Sequence, residues 1–518
     1  MNIVFIMADQ LAAASLGCYG SGVASTPVLD ALAERGLRFD RCYATSPVCS
    51  PSRATFLTGR SPSIHGVIWN NFQHPRDMPS YAHVLQQHGY HTGGFGKFHD
   101  APMTVPLKEN VKYLGFDESV ISDDTRWGAY TDWIKTEHPE HYETAIAFCR
   151  PYPPLCEAMT EAECQRDALQ KKRAEILLPL QKASGFSAMY TSPLPPEIHQ
   201  SRFITNSALD YMQGRMDAKN EQPFFCLVSY VDPHDPYDPP EPYASMFDPD
   251  DMPDPIPATW PADNCATLEK CRQDFGFDAI SENLPMIRKL RSLFHGSLKL
   301  LDEQVGRIVD FLEANDLTDD TMIIFTTDHG EMLGDHQLLS KGYKPYDSAI
   351  RCPLLVSGPG IKPNVSNELV CTLDFFPSIC DFANVPADLR PPLEGKTFAG
   401  ECRGETKEEK WDDVLVAFNL MQTIVSGDGF RLTLFDGDPC GQLFDLNKDP
   451  DEQRNLFNDS DYTDKKVTCL VALAAAQNRP ALIPQYRNLP VVDGKRTCSD
   501  GPEKLHLTEK FPDFDLKK

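Results

Sequence analysis

Short, nearly unbroken apolar runs recur along this chain, separated by stretches with helical spacing. Residues 2–8, 223–231, 321–327 and 353–357 carry no charged side chains and read as buried strands; residues 37–43 return to strand character, and residues 91–95 read as a short strand. Between them, apolar residues recur at three- and four-residue intervals. This spacing predicts helices over 28–36, 81–88 and 201–212, and a long one over 292–314 built on Leu293, Leu298, Leu301, Val305, Ile308 and Leu312. Residues 51–58 predict a further helix opened by Pro51, with Cys49 at or just before its first turn. Strands alternating with helices imply an α/β fold, with a large, mixed but mainly parallel sheet sandwiched by helices.

The texture changes twice. Residues 100–200 are irregular, with Pro-rich and polar stretches, and read as insertions over the active-site end of the sheet. After about residue 385, the runs 414–418, 423–426, 430–435 and 442–446 are short strands joined by turns. They predict a smaller antiparallel sheet. The division expected is a catalytic α/β domain over 1–385 and a smaller C-terminal α+β subdomain over 386–518.

Composition narrows the class. The chain has 518 residues, 41% of them hydrophobic, enough for two domains and a large core. No apolar run approaches the roughly 20 residues needed to span a bilayer. The apolar amino terminus lacks a basic region before it and is interrupted by Asp9 and Gln10, so it reads as a first strand rather than a signal peptide. The expected compartment is the cytoplasm, or the periplasm if a leader has been removed. Sixteen cysteines without a Cys-x-x-Cys pair argue against a disulfide scaffold and a structural zinc site. Cys265 and Cys271 could bridge in an oxidising compartment; reduced thiols are the default. A net charge of −26 opposes binding to nucleic acid or an anionic membrane, so any anion site must be a local cluster of cations. A homo-oligomer is left open.

The chemistry is concentrated in a few segments. Cys49-Ser50-Pro51-Ser52-Arg53 is followed by Leu57-Thr58-Gly59-Arg60. Asp9-Gln10 and Asp328-His329-Gly330 each follow an apolar strand, where ligands bind in open α/β sheets. Two carboxylates, an amide oxygen and an imidazole form a donor set for a divalent cation. Gly96-Lys97-Phe98-His99, Asp232-Pro233-His234-Asp235-Pro236 and Lys341-Gly342-Tyr343-Lys344 supply further cations and proton carriers. In this order, the Cys-x-Pro-x-Arg and Leu-Thr-Gly-Arg blocks resemble the signature of the formylglycine-dependent (type I) sulfatases of the alkaline phosphatase superfamily. The segment Asp445-Leu446-Asn447-Lys448-Asp449-Pro450 is similar to the family's carboxy-terminal sequence.

That resemblance implies an alkaline-phosphatase-like fold and a sulfuric ester hydrolase of arylsulfatase type, acting on a sulfated carbohydrate or another small sulfate ester. It implies that a maturation enzyme, which must bind an extended stretch of chain, oxidises Cys49 to formylglycine, whose hydrate is the nucleophile. By position, Asp9, Gln10, Asp328, His329 and the modified residue 49 hold the metal, with calcium expected and manganese or magnesium as alternatives. Arg53 orients residue 49 and offsets local negative charge, and Asp328 assists its deprotonation. Lys97 and Lys341 bind the sulfate, with Lys344 a competing match for Lys341. His234, or Lys341, protonates the leaving oxygen, and His99 takes the proton that releases sulfate. Residues 190–193 to 199–200 (Tyr190 to Gln200) are expected to line the substrate pocket.

The pattern departs from the family in one respect. Many sulfatases have two acidic residues where this chain has Asp9-Gln10, and an asparagine where it has His329. The combination found here is similar to the phosphonate monoester hydrolase branch, whereas Lys97 and His99 match the sulfatases. The alternative expectation is therefore a phosphonate or phosphodiester hydrolase using the same nucleophile. An anion-binding relative without catalysis would require loss of the metal or of Cys49 oxidation.

Overall fold

The computed structural model describes residues 1–70, 72–76, 78–100, 111–149, 171–218, 222–405 and 409–479. Parts of the expected insertion (101–110 and 150–170) and of the expected C-terminal subdomain (406–408 and 480–518) lie outside the described residues.

A nine-stranded sheet forms the centre. Its strands are β1 (Asn2–Ala8), β2 (Leu37–Tyr43), β3 (His91–Gly96), β4 (Glu118–Ile121), β5 (Phe224–Ser229), β6 (Thr321–Thr327), β7 (Arg351–Ser357), β8 (Asn364–Ser366) and β9 (Val370–Cys371). They lie in the order β4-β3-β5-β1-β6-β7-β2-β8, with β9 also paired to β2. The pairs from β4 through β6 are all parallel, whereas β7 runs antiparallel to both β6 and β2.

Burial on both faces explains why the central strands are apolar throughout. Successive side chains of β1 point to opposite faces. Val4, Ile6 and Ala8 join one core with Leu293, Leu301 and Ile308 of the helix Leu284–Ala314. Ile3, Phe5 and Met7 join the other, where Phe5 packs against Phe56, Tyr81 and Phe375. The long helix begins eight residues before the predicted 292. Asn283 caps it, its side chain accepting the Met286 N–H, and Pro285 occupies its first turn.

A second sheet, β10 (Asp413–Phe418), β11 (Met421–Ser426), β12 (Phe430–Phe435) and β13 (Gly441–Asp445), is antiparallel in sequence order. One face packs on the helix Thr463–Asn478 through Ile424, Leu432 and Leu443. The other meets Tyr43, Val48, Tyr346 and Ile350 of the main body. The Ala417 N–H donates to Thr45 O at 2.9 Å, tying this sheet to the segment that leads into Cys49. Cys265 and Cys271 are free thiols, so the bridge considered between them is not formed; the thiol interacting with Cys265 is Cys440. Among the described residues, no helix is long and apolar enough to cross a membrane.

Candidate active site

Strand order builds the site. β3, β5, β1 and β6 are adjacent and parallel, so their carboxyl ends emerge side by side. Lys97 and His99 follow β3, the segment Asp232–Asp235 follows β5, Asp9-Gln10 follows β1, and Asp328-His329 follows β6. Residues far apart in sequence thus converge without long loops. Gly96 is needed here: its φ is +101°, and a Cβ would lie 1.9 Å from Ser229 O on the neighbouring strand.

Cys49 is the first residue of the helix Cys49–Thr58, as its Pro51 foretells, and is fully buried. Val48 before it is extended, and the Ser50 N–H donates to Asn70 Oδ1 at 3.0 Å. Gly59 ends the helix in the left-handed conformation at φ 62°. The positive end of the helix dipole lies at residue 49, while the Ser50 and Ser52 N–H groups are taken by Asn70 and by Val48 O.

Around Cys49 the charges interlock. Buried Arg53 donates from Nε to Asp328 Oδ2 (2.9 Å), from Nη2 to Asp9 Oδ2 (2.8 Å), and from Nη1 to Lys97 O (2.9 Å) and Ser229 Oγ (2.7 Å). Lys97 Nζ is 2.7 Å from both Asp9 Oδ2 and Asp124 Oδ1, with the lysine fully buried. Burial alone would push the Asp9 carboxyl up, but Lys97, His234, Arg53 and Lys341 hold it well below the usual carboxylate range. Asp328 is pushed up by burial and by the Asp9 charge. Burial and Asp9 also raise the Cys49 thiol, yet Lys341, Lys97 and His329 outweigh them and hold it well below the usual thiol range.

On the opposite side, Lys341 Nζ donates to His234 Nε2 at 2.5 Å and to the Gln10 side-chain oxygen. His234 Nδ1 donates to Asp235 O at 2.6 Å. Lys344 points elsewhere: its Nζ reaches Asp274 Oδ2 (2.9 Å) and Lys341 O (2.8 Å), so Lys341 is the lysine that enters the site. His99 is buried beside Ser50 in a small cavity also lined by His74 and Asp100. Both its imidazole nitrogens lack a hydrogen-bond partner among the described residues. The segment expected to line the pocket lies deeper than foreseen: Tyr190, Ser192, His199 and Gln200 are buried. Gln200 braces Ser122 and Asp123, and His199 lies 3.6 Å from Asp232.

The donor set fits a divalent cation. One carboxylate oxygen from each of Asp9 and Asp328, the His329 ring nitrogen and Cys49 Sγ all lie within 4.8 Å of one another. Here Sγ stands in for an oxygen of the hydrated aldehyde. His329 Nδ1 donates to Gly330 O at 3.0 Å, so Nε2 is the nitrogen that faces Cys49, 3.2 Å from Sγ, and the one a neutral ring offers to a cation. Two buried carboxylates beside a nucleophile are electrostatically costly without a cation.

Several residues in this network escaped the sequence reading. Asp124 pairs with Lys97; Asp123 accepts the N–H groups of Phe98 (2.8 Å) and His99 (3.4 Å); Glu331 bonds the Gln10 amide. Glu331 stood two residues beyond His329, the one available signal. Asp123 and Asp124 lay in an irregular region where no periodicity marks a position.

The sulfatase family model matches residues 1–385, and the model for the C-terminal region of N-sulphoglucosamine sulphohydrolase matches residues 334–478. An arylsulfatase of Clostridium perfringens is 27% identical over 484 residues, covering 90% of this chain and 92% of the relative. An N-acetylglucosamine-6-O-sulfatase of Bacteroides thetaiotaomicron is 25% identical, covering 92% and 86%. The crystal structure of a phosphonate monoester hydrolase of Agrobacterium radiobacter superposes with a TM-score of 0.73 at 24% identity, covering 92% of this chain and 95% of that one; it shows the same fold.

Proposed function

This chain belongs to the sulfatase family, and on that premise we propose that it hydrolyses sulfate monoesters, using an aldehyde made by oxidation of Cys49 and a divalent cation held by Asp9, Gln10, Asp328 and His329. The observation that carries this reading is the burial of Cys49 at the start of the helix Cys49–Thr58, with its sulfur among the carboxylates of Asp9 and Asp328 and the ring nitrogen of His329.

When present, the hydrated aldehyde supplies a nucleophilic oxygen with a second hydroxyl, and the cation offsets negative charge at the reacting centre. The encoded residues do the rest. Arg53 holds the two carboxylates in register, and its charge favours the ionised form of each. Lys97 and Lys341 flank the reacting centre and attract the nonbridging oxygens of the sulfate, where negative charge concentrates. His234 Nε2 and Lys341 Nζ, already 2.5 Å apart, share the proton that the departing oxygen needs. His99, with both nitrogens unengaged, receives the proton whose loss releases sulfate.

Calcium suits the carboxylate and amide oxygens; the imidazole makes manganese the competing ion. A sulfated carbohydrate is the substrate class favoured by the N-acetylglucosamine-6-O-sulfatase relative. We assign the reaction to a domain over 1–385, with substrate choice set by insertions over 100–200, and treat 386–518 as a subdomain that supports the Cys49 segment. A maturation enzyme that oxidises Cys49 is the implied partner.

Gln10 and His329 favour a second reading, hydrolysis of phosphonate monoesters or phosphodiesters with the same nucleophile. Turnover of matched aryl sulfate and aryl phosphonate esters by the calcium-loaded protein separates the two, with mass spectrometry of residue 49 to establish its oxidation and Cys49→Ala as control. The expected result is a preference for sulfate that Cys49→Ala abolishes. A preference for phosphonate would make Gln10 and His329 the better guides than Lys97 and His99.

A further inference from the structure

The Gln10 side chain stands where an acidic residue is common in the family, and its two ends meet opposite charges. Its Nε2 donates to Glu331 Oε2 and lies 3.4 Å from Asp235 Oδ1, while its Oε1 accepts from Lys341 Nζ. A carboxamide is nearly symmetric in shape, so only its neighbours decide which end is oxygen. Reversed, it would set its oxygen against two carboxylates and its amino group against an ammonium, which is unfavourable at both ends.

Glu331 is built to hold this orientation. It is 1% exposed, and its Oε1 accepts the backbone N–H groups of Leu333 (3.0 Å) and Ser340 (2.5 Å). With one oxygen fixed by two backbone donors, the other faces Gln10, beside the buried Tyr237 hydroxyl that interacts with both side chains. The segment that carries Glu331 also carries Asp328 and His329, so the carboxylate is anchored to the same turn as two proposed cation ligands.

We propose that Glu331 is a positioning residue for the cation site: it fixes the Gln10 amide with its oxygen toward Lys341 and the reaction centre, and supplies one layer further out the negative charge that a second acidic ligand would supply directly. The inference rests on the reading of Asp9, Gln10, Asp328 and His329 as cation ligands. It makes a carboxylate at position 10 and a carboxylate at position 331 mutually exclusive rather than additive. Side by side at that distance the two like charges would repel.

The test is calcium binding to the metal-free protein, read by titration calorimetry, across wild type, Glu331→Gln, Gln10→Asp and the double variant. Glu331→Gln is expected to weaken calcium binding by about 10–100-fold, the usual cost of losing an outer-layer partner of a metal ligand. Gln10→Asp alone is expected to bind no tighter than wild type, because the carboxylate introduced at position 10 faces Glu331. Adding Glu331→Gln to it is expected to restore or raise affinity, so the same substitution changes sign between the two backgrounds. A purely structural role for Glu331 would weaken both backgrounds alike, and that result would overturn the proposal. Should Glu331→Gln fail to fold, Gln10→Asp still decides: a tenfold or greater gain in calcium affinity would refute it. Wild type that binds no divalent cation would overturn the cation-site reading and this inference together, whereas tight wild-type binding matched by Glu331→Gln would overturn this inference alone.

Discussion

Replacing Arg53 by alanine in the metal-free protein tests how the site stays folded before a cation arrives. The guanidinium makes four hydrogen bonds, two of them charge-assisted bonds to carboxylates that are themselves fully buried. Its loss leaves Asp9 with Lys97 as its remaining ion-paired cation of comparable reach, and strips Asp328 of its only lysine or arginine salt bridge among the described residues. Breaking a buried pair by removing one partner costs about 3–5 kcal/mol, because the orphaned charge stays buried. Arg53→Ala should therefore lose about that much in the first urea transition measured with chelator at pH 8. The loss should also depend on pH in a definite sense. Without Arg53, the Asp328 carboxyl, already pushed up by burial, rises further above its unfolded value, and Asp9 loses part of its depression. The folded variant then binds more protons than its unfolded chain, and its stability improves as pH falls. The gap from wild type should narrow between pH 8 and pH 5. A gap below about 1 kcal/mol, or one of constant size across that range, would refute the view that Arg53 holds two ionised buried carboxylates together.

Two further outcomes follow from the site and its surroundings. Cys49→Ser keeps a hydroxyl but has no second one, so it should turn over once per chain and stop as a sulfate ester on residue 49, detectable by mass spectrometry; repeated turnover would exclude the aldehyde hydrate as the working nucleophile. His65 accepts the Val67 N–H on Nδ1 (3.0 Å) and lies against Thr55 Oγ1 through Nε2 (3.2 Å), and burial holds it neutral with its pKa down at about 3. Its contribution is whole above pH 6.5, the unfolded value, and is lost as pH falls toward 3. At pH 5 the loss amounts to about 2 kcal/mol, and His65→Asn should lower the proton uptake on unfolding by close to one between pH 5 and 6; an unchanged uptake would mean the imidazole is charged in the folded protein.

The central strands were legible because each is buried on both faces and so carries a continuous apolar run. Asp9 and Asp328 were legible for the same reason, since they come directly after such runs; Lys97 and His234 were marked instead by the Gly-Lys-Phe-His and Asp-Pro-His-Asp-Pro segments. Strand β4 was not foreseen: it is an edge strand of four partly exposed residues, Glu118 to Ile121, with no apolar run to mark it. The helix Thr463–Asn478 also went unread, for its alanine-rich stretch buries only Cys469, Leu473 and Ala476. Spacing could not choose between Lys341 and Lys344. The choice is made by Gly342, whose φ of +97° turns the chain between them, and by Asp274, which draws Lys344 away. The roles of Glu331 and Asp124 depend on partners 321 and 27 residues distant, and no local pattern carries that information.

The placement of β1 has a consequence in time. It lies between β5 and β6, and its pairing with Thr321–Thr327 joins residues more than 300 positions apart. During synthesis, the pocket around Cys49 stays open until about 280 further residues have left the ribosome, because Asp328 and His329 arrive only with β6. At about 5–20 residues per second, that is roughly 15–60 s. The thiol proposed for oxidation sits in an unclosed segment for all of that interval and is fully enclosed once β6 docks. Strand order thus acts as a delay line: an enzyme that oxidises Cys49 in the open segment, as proposed, has that interval before β6 encloses it.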